Sequence, residues 1–168
     1  LAAFTIVAAG VFAYATGFDG VFLFDDHRNI DGNVAIRSLS PLSRVLFGQG
    51  QSGIGGRPLV ALSYALNHAW GGYDVSGWHA VNLAIHVATA LLLFGAIRRA
   101  LTLPAFAGRW GDGALGVAWA TAAIWVAHPL TTGSVQYIGQ RVETLMSLCF
   151  MGALYAAFRS FTSPPPRT

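Results

Sequence analysis

The chain has 168 residues, of which 54% are hydrophobic and only 10% charged, with a formal net charge of +3 and a mean hydropathy of +0.53. Soluble domains carry about 25% charged residues and keep much of their surface in water, so this apolar excess excludes an ordinary soluble domain and points to lipid as its solvent. The ten basic residues are all arginines and are scattered, which argues against nucleic acid as a partner, and the single Cys149 lies in an apolar run and founds no disulfide framework.

A lipid-spanning helix needs about 20 mostly apolar residues. Four runs are predicted as spans: 1–18, 79–97, 114–130 and 142–160. The first lacks a basic leader and a small-residue cleavage site, so it reads as an anchor rather than a removed signal. Arg98, Arg99 and Arg109 fall between the second and third spans, and Arg159 and Arg167 follow the fourth. The bias of arginine toward the cytoplasm then puts the N-terminus inside and the loop 19–78 outside, together with the short turn 128–141. The chain opens within an apolar run without Met and ends in Ser163-Pro164-Pro165-Pro166-Arg167-Thr168. It reads as a fragment of a longer protein, with 1–161 in a membrane domain and 162–168 a proline-rich linker.

The outer loop has its own predicted elements. Ser40 as N-cap and Pro41 at the first helical position predict a short helix through Phe47. A glycine-rich stretch follows from Gly48 to Gly56, and Pro58–Trp70 predicts a second helix closed by Gly71-Gly72. Leu59, Leu62, Leu66 and Ala69 share one face of it, suited to the membrane surface or to the spans. The expected fold is an all-α membrane protein, a multi-span helical bundle with a large first outer loop carrying short amphipathic helices.

Three polar elements converge on the outer side. Asp25-Asp26-His27-Arg28-Asn29 follows the first span; paired carboxylates serve as a general base, as metal ligands, or simply as partners of a local Arg in a solvated loop. His79, Asn82 and His86 fall on one face of the second span, where ionisable groups either line a functional cavity or hydrogen-bond between helices. Pro129 ends or kinks the third span at His128, and Gln136, Gln140 and Glu143 share a face if the fourth helix starts early. Arg141 stands at the outer boundary, where it meets a phosphate or snorkels to the headgroups, snorkelling being the stronger reading of that residue alone. An aromatic belt accounts for Trp70, Tyr73, Trp78, Trp125 and Tyr137.

The ordered set Phe24-Asp25-Asp26, Asn29-Ile30, Asn33, Gly56-Arg57-Pro58-Leu59, Leu66-Asn67, Gly77-Trp78-His79-Ala80-Val81-Asn82, His86, His128-Pro129-Leu130-Thr131-Thr132 and Arg141 resembles the N-terminal part of the transmembrane and tetratricopeptide-repeat O-mannosyltransferases, including their bacterial relatives. The resemblance runs from about Phe22 to Arg159 and implies a GT-C fold. Such enzymes take a sugar from a polyprenyl-phosphate carrier and transfer it to a Ser or Thr hydroxyl of a protein. By the resemblance, Asp25 or Asp26 is the general base, with Asp25 preferred. Arg57 and Arg141, and more weakly Arg28, face the donor phosphate. His79, His86 and His128 hydrogen-bond sugar or phosphate. Asn82, Gln140 and Glu143 complete the polar site. The expected partners are the lipid-linked donor, a protein acceptor and membrane lipids; no metal or other cofactor is expected. The expected location is a bacterial inner membrane, with the N-terminus cytoplasmic and loop 19–78 periplasmic. Any tetratricopeptide repeats lie beyond Thr168. One position departs from the family, which often has Glu where Gly133 stands; either Glu143 substitutes, or the residue is dispensable, or this member is altered. A non-catalytic membrane scaffold or lipid-binding module is the alternative. A transporter is disfavoured because the acidic pair lies outside the spans.

Overall fold

The computed structural model describes residues 1–162 apart from Gln49, Gln51, Ala107 and Asp112, so the proline tail from Ser163 onward lies outside the described residues. Among the described residues the fold is helical throughout. The helices are α1 (Ala2–Tyr14), α2 (Leu42–Phe47), α3 (Pro58–Gly71), α4 (Val75–Ala100), α5 (Gly113–Val126), α6 (Thr132–Gln136) and α7 (Arg141–Thr162), joined by short 3₁₀ and π turns. Two helices are long and apolar enough to cross a membrane: α4, with a mean hydropathy of 2.0, and the continuous run Ile138–Thr162, with 1.3. A bent pair, Gly113–Val126 with Pro129–Gln136 at 50°, brings the number to three where the pair counts as one broken span. This is an integral membrane protein. The run Ala2–Gly17 is apolar and falls among the shorter apolar helices.

Each boundary has a local cause. Proline has no N–H and disfavours helix in the residue before it, so α5 ends ahead of Pro129 and the chain re-enters helix at Thr132. Gly72 adopts φ 59° and donates its N–H to the His68 carbonyl at 2.7 Å, closing α3. The expected Ser40 cap does not form. Pro41 is the capping residue of α2, and the Ser40 N–H bonds to the Ser38 hydroxyl instead. Gln136 does not share a face with Gln140 and Glu143, because Tyr137 is extended between α6 and the next turn, and the Gln136 amide packs against Gly17.

α4 is the central helix and packs along α1, α5 and α7. Partners in contact give the directions. Thr5 meets Trp119 and Tyr14 meets Thr131, so α1 runs parallel to the α5–α6 unit. Asn82 meets Arg141 and Arg99 meets Thr162, so α4 and α7 run parallel to each other. Asp25, Asp26, Asp74 and Glu143 therefore gather at one end of the bundle, and Arg98, Arg99 and Arg159 at the other.

Two apolar cores result. One holds Ile6, Tyr14, Leu83, Val87, Ala122 and Val126 inside the bundle. The other holds Ile30, Ile36, Val45, Ile54, Tyr64 and Trp78, with Ile138, and makes the loop 19–74 a folded cap. Phe4, Phe12, Ile124 and Phe150 are exposed on the helix exteriors, as a lipid-facing surface requires. Trp78 is fully buried and Trp125 stacks on His86, so neither belongs to an interfacial belt; Trp70 and Tyr73 are exposed and can serve there.

A Cβ at Gly10 would lie 2.9 Å from a Val87 methyl and 3.0 Å from one of Val126, so glycine sets the approach of α1 to α4 and α5. Gly10→Val is expected to destabilise the bundle by about 1–3 kcal/mol. Thermal unfolding of the detergent-solubilised protein measures this, and an unchanged midpoint would show that α1 does not seat there.

Candidate functional site

The two adjacent acids have opposite environments. Asp26 is fully buried. Its Oδ2 accepts the Leu23 N–H at 3.0 Å, and the Asp26 N–H donates to the Leu23 carbonyl at 2.9 Å, closing the turn on itself. Asp26 Oδ1 faces Gly139 and has no hydrogen bond of ordinary geometry; a Cβ on Gly139 would sit 2.8 Å from it. Burial pushes the Asp26 carboxyl above the ordinary carboxylate range, a rise that nearby Asp25 reinforces; the Leu23 and Gly139 amides and His27 oppose it. Asp25, in contrast, is exposed.

What separates them is the backbone. Phe24 has φ 47°, a left-handed conformation that costs a non-glycine residue roughly 1–3 kcal/mol and persists only where its surroundings enforce it. Here Tyr137 enforces it. Its ring meets Phe24 edge-on at 6.3 Å, and its hydroxyl accepts the Asp25 N–H at 3.3 Å. A single π turn, His27–Asp31, follows. From it Asn29 accepts the Gly53 N–H at 2.7 Å, and the Gly53 carbonyl accepts Arg57 Nη1 at 2.8 Å. One chain of hydrogen bonds thus joins the acid turn, the glycine-rich stretch and Arg57.

These elements surround an open cleft of about 160 Å³ between the cap and the start of α7, lined by Asp25, Arg57, Tyr137, Gln140 and Glu143. It presents two carboxylates and one guanidinium. Of the expected site residues, Asp25, Arg57, Gln140 and Glu143 come together here. Tyr137 and Asn29 were not expected in this role. In the sequence Asn29 is marked by its place in the acid motif and in the resembled set, and Tyr137 reads most simply as part of an aromatic belt.

Arg141 is a correction. It neither snorkels nor stands open to a phosphate, because its side chain is fully buried. Nε donates to Asn82 Oδ1 at 2.7 Å; Nη2 donates to Asn67 Oδ1 at 2.8 Å and to the Trp78 carbonyl at 3.0 Å; Nη1 reaches the Ser63 carbonyl at 3.4 Å. The guanidinium carbon lies 5.0 Å from the Tyr64 ring centroid and 5.1 Å from that of Trp78. Asn82 is consumed in this clamp rather than facing a ligand. Burial raises the Tyr64 hydroxyl well above its ordinary range, so it stays protonated and donates to the Ile138 carbonyl.

The remaining candidates are dispersed. His79 is buried against Gly20, and neither ring nitrogen has a hydrogen bond of ordinary geometry. His86 ties α4 to α5 through the Val126 carbonyl at 3.0 Å, beneath the edge of Tyr14. That is the interhelical reading of the residue. His128 is exposed, and its Nδ1 accepts the Leu130 N–H at 3.2 Å, capping the turn at Pro129. Arg28 is exposed, and the neighbouring His27 pairs with Asp31 at 3.0 Å on the surface. No group of three or more His, Cys, Asp or Glu side chains that could hold a metal occurs among the described residues.

Fold and site together define an all-helical integral membrane protein with an acidic cleft under a folded cap. The resemblance read from its motifs holds over most of the chain, which is similar to the protein O-mannosyl-transferases of the transmembrane family. Protein O-mannosyl-transferase TMTC1 of Mus musculus is 29% identical over 168 residues, 95% of this chain and 17% of that protein. Protein O-mannosyl-transferase Tmtc1 of Drosophila melanogaster is 30% identical over 87% of this chain and 16% of its own length. Protein O-mannosyl-transferase Tmtc2 of the same organism is 33% identical over 77% and 14%. The chain spans about a sixth of the length of these curated relatives. No family model matches the chain. No solved structure matches it.

Arg141→Lys is expected to destabilise the protein by about 3–5 kcal/mol, because an ammonium cannot reproduce the planar fork and buried acceptors lose their donors. Thermal unfolding in detergent tests this; a near-neutral result would show that the clamp is dispensable. For Asp26 the folded-state pKa lies above the ordinary value of 3.8, so the carboxyl's stabilising effect is complete below that value and is lost as pH rises through the folded pKa. Asp26→Asn keeps an acceptor for Leu23 and cannot ionise. Its unfolding midpoint should match wild type in acid and exceed it at neutral pH; the reverse trend would contradict a raised pKa.

Proposed function

We propose that this chain is the N-terminal part of a GT-C-type membrane glycosyltransferase that moves a sugar from a polyprenyl-phosphate carrier to a Ser or Thr hydroxyl of a protein. The observation that carries the reading is the cleft itself, where an exposed Asp25, a guanidinium and a second carboxylate meet at the end of a membrane-crossing helix. The names of the relatives support protein O-mannosylation as the reaction class.

In the proposed reaction the acceptor oxygen attacks the sugar C1 while Asp25 takes its proton, a contribution of about 10²–10⁴-fold. The new C1–O bond forms as the bond from C1 to the phosphate oxygen breaks, and the electron pair leaves with the lipid phosphate. A single displacement inverts the anomeric centre. Arg57, anchored by one N–H to Gly53, turns its other donors to the leaving phosphate. Glu143 and Gln140 orient the sugar or the acceptor. Asp26 is a positioning residue, which holds the turn that displays Asp25 without reaching the cleft. No resident metal or other cofactor enters the scheme. Arg98, Arg99 and Arg159 at the far end of the bundle support a cytoplasmic placement there, with the cap and cleft on the periplasmic face of a bacterial inner membrane. A donor whose tail stays in the bilayer would meet the cleft at that height.

The second reading, a non-catalytic scaffold or lipid-binding module, draws on Gly133, where the resembled family often carries Glu. The two are separated by sugar transfer from labelled polyprenyl-phosphate donors to proteins, measured with the complete polypeptide in its native membrane. Asp25→Asn is expected to lower transfer by about 10²–10⁴-fold at equal expression. Arg57→Gln should lower it by about 10²-fold, and Asp26→Asn should retain most of it. Transfer that survives Asp25→Asn removes that residue as the base. A wild-type protein inactive with every donor favours the scaffold.

A further inference from the structure

A sizeable cavity lies at the opposite end of the bundle from the cleft. It measures about 790 Å³ and opens between α4 and α7, beside Ala3 of α1. This falls within the roughly 300–1,000 Å³ of small-molecule sites. Leu91, Leu92 and Phe94 make its walls apolar, Arg98 and Arg99 stand at its end, and no acidic side chain among the described residues lines it.

Arg99 is held in place. Gly95 has no side chain, and the Tyr155 ring occupies that space, 2.7 Å from where a Cβ would be. The guanidinium carbon of Arg99 lies 5.3 Å from the Tyr155 ring centroid, and its Nη1 donates to the Thr162 hydroxyl at 2.8 Å. Its other donors make no hydrogen bond among the described residues. Arg98 is exposed beside it. Arginines at the end of a span mark its orientation and favour the helix C-terminus. That explains two positive charges there; it does not explain a cavity below them or an aromatic clamp that aims one of them.

We propose that this groove binds an anionic membrane phospholipid, with its phosphate on Arg98 and Arg99 and an acyl chain along Leu91, Leu92 and Phe94. Charge complementarity selects the occupant. Two arginines with no acidic partner among the described residues end an apolar groove along a helix that crosses the bilayer, so a ligand with an anionic head and an apolar tail fits both halves. The site is distinct from the acid cleft and does not depend on the proposed reaction.

The test uses the complete polypeptide reconstituted in nanodiscs of equimolar phosphatidylglycerol and phosphatidylcholine, with the lipids that stay bound counted by native mass spectrometry. Wild type is expected to retain phosphatidylglycerol selectively. Arg98→Gln with Arg99→Gln should reduce that enrichment by on the order of tenfold. Leu92→Trp, which fills the groove and keeps both charges, should also release the lipid, and inorganic phosphate should not displace it. Both variants are checked for a wild-type unfolding midpoint in lipid-free detergent. If either loses stability there, Ala88→Leu, a milder filling of the same groove, replaces it. Equal retention by folded variants overturns the proposal. So does displacement by inorganic phosphate, which would make the site one for a free anion, and so does a cross-link from the groove to another protein segment that seats there in place of lipid.

Discussion

The Arg141 guanidinium is the constraint on which the rest of the structure depends. A permanent cation buried beside a membrane bundle is costly unless its donors are met. Here no carboxylate pairs with it among the described residues. Its charge is spread over two amide oxygens, two backbone carbonyls and two aromatic faces. Those groups come from α3 in the cap and from α4 in the bundle, while the cation belongs to α7. Satisfying one side chain therefore fixes three helices against one another, and a cap that shifted on the bundle would strand the charge. The cleft inherits this rigidity. Gln140 precedes Arg141, Glu143 lies in the same turn, and Gly139 sits under the buried carboxylate of Asp26.

The acid turn shows how one frame gives two identical residue types different work. Asp26 spends one oxygen on Leu23 and meets the Gly139 backbone with the other, so it is enclosed and favours its protonated form. That enclosure on one side and the Tyr137 contacts on the other hold the strained Phe24 backbone, and Asp25 turns outward. Exchanging their environments would require a different register of the turn on α7. The preference for Asp25 over Asp26 as the solvent-facing acid thus rests on packing rather than on intrinsic chemistry.

How much of this was legible in the sequence follows from the range of each interaction. Long apolar runs, Pro129 and Gly72 act within a few residues, and the helices built on them are visible in the residue pattern. The gathering of Arg98, Arg99 and Arg159 at the end away from the acids was also readable, because it follows from span order, although Arg28, Arg57 and Arg141 share the acidic end. The Arg141 clamp was not. Asn82 lies 59 positions away and Asn67 lies 74, and a boundary arginine viewed alone resembles any that snorkels. Tyr137 was hidden for the same reason: an aromatic residue near an interface has the belt as its simplest explanation, until Phe24 and Asp25 are found folded back upon it. His86 shows the opposite error of emphasis, since its polar face in a span serves a carbonyl of the next helix rather than a ligand.

The same spatial view bears on the one departure from the resembled family. A Cβ at Gly133 would meet nothing within 4 Å, so a longer side chain there would extend into open space from the exposed surface of α6. Nothing in the packing forces glycine at that position, and nothing collapses for want of a carboxylate. Glu143 lines the cleft with Asp25 and also borders a small polar void of about 40 Å³ beside His86 and Thr131. It therefore stands between the cleft and the short segment on which position 133 is carried. The cleft holds Asp25, Glu143 and Arg57, two carboxylates and a cation, whatever stands at position 133. Gly133 is not among the residues that line the cleft, so the charges gathered there do not depend on the side chain at that position.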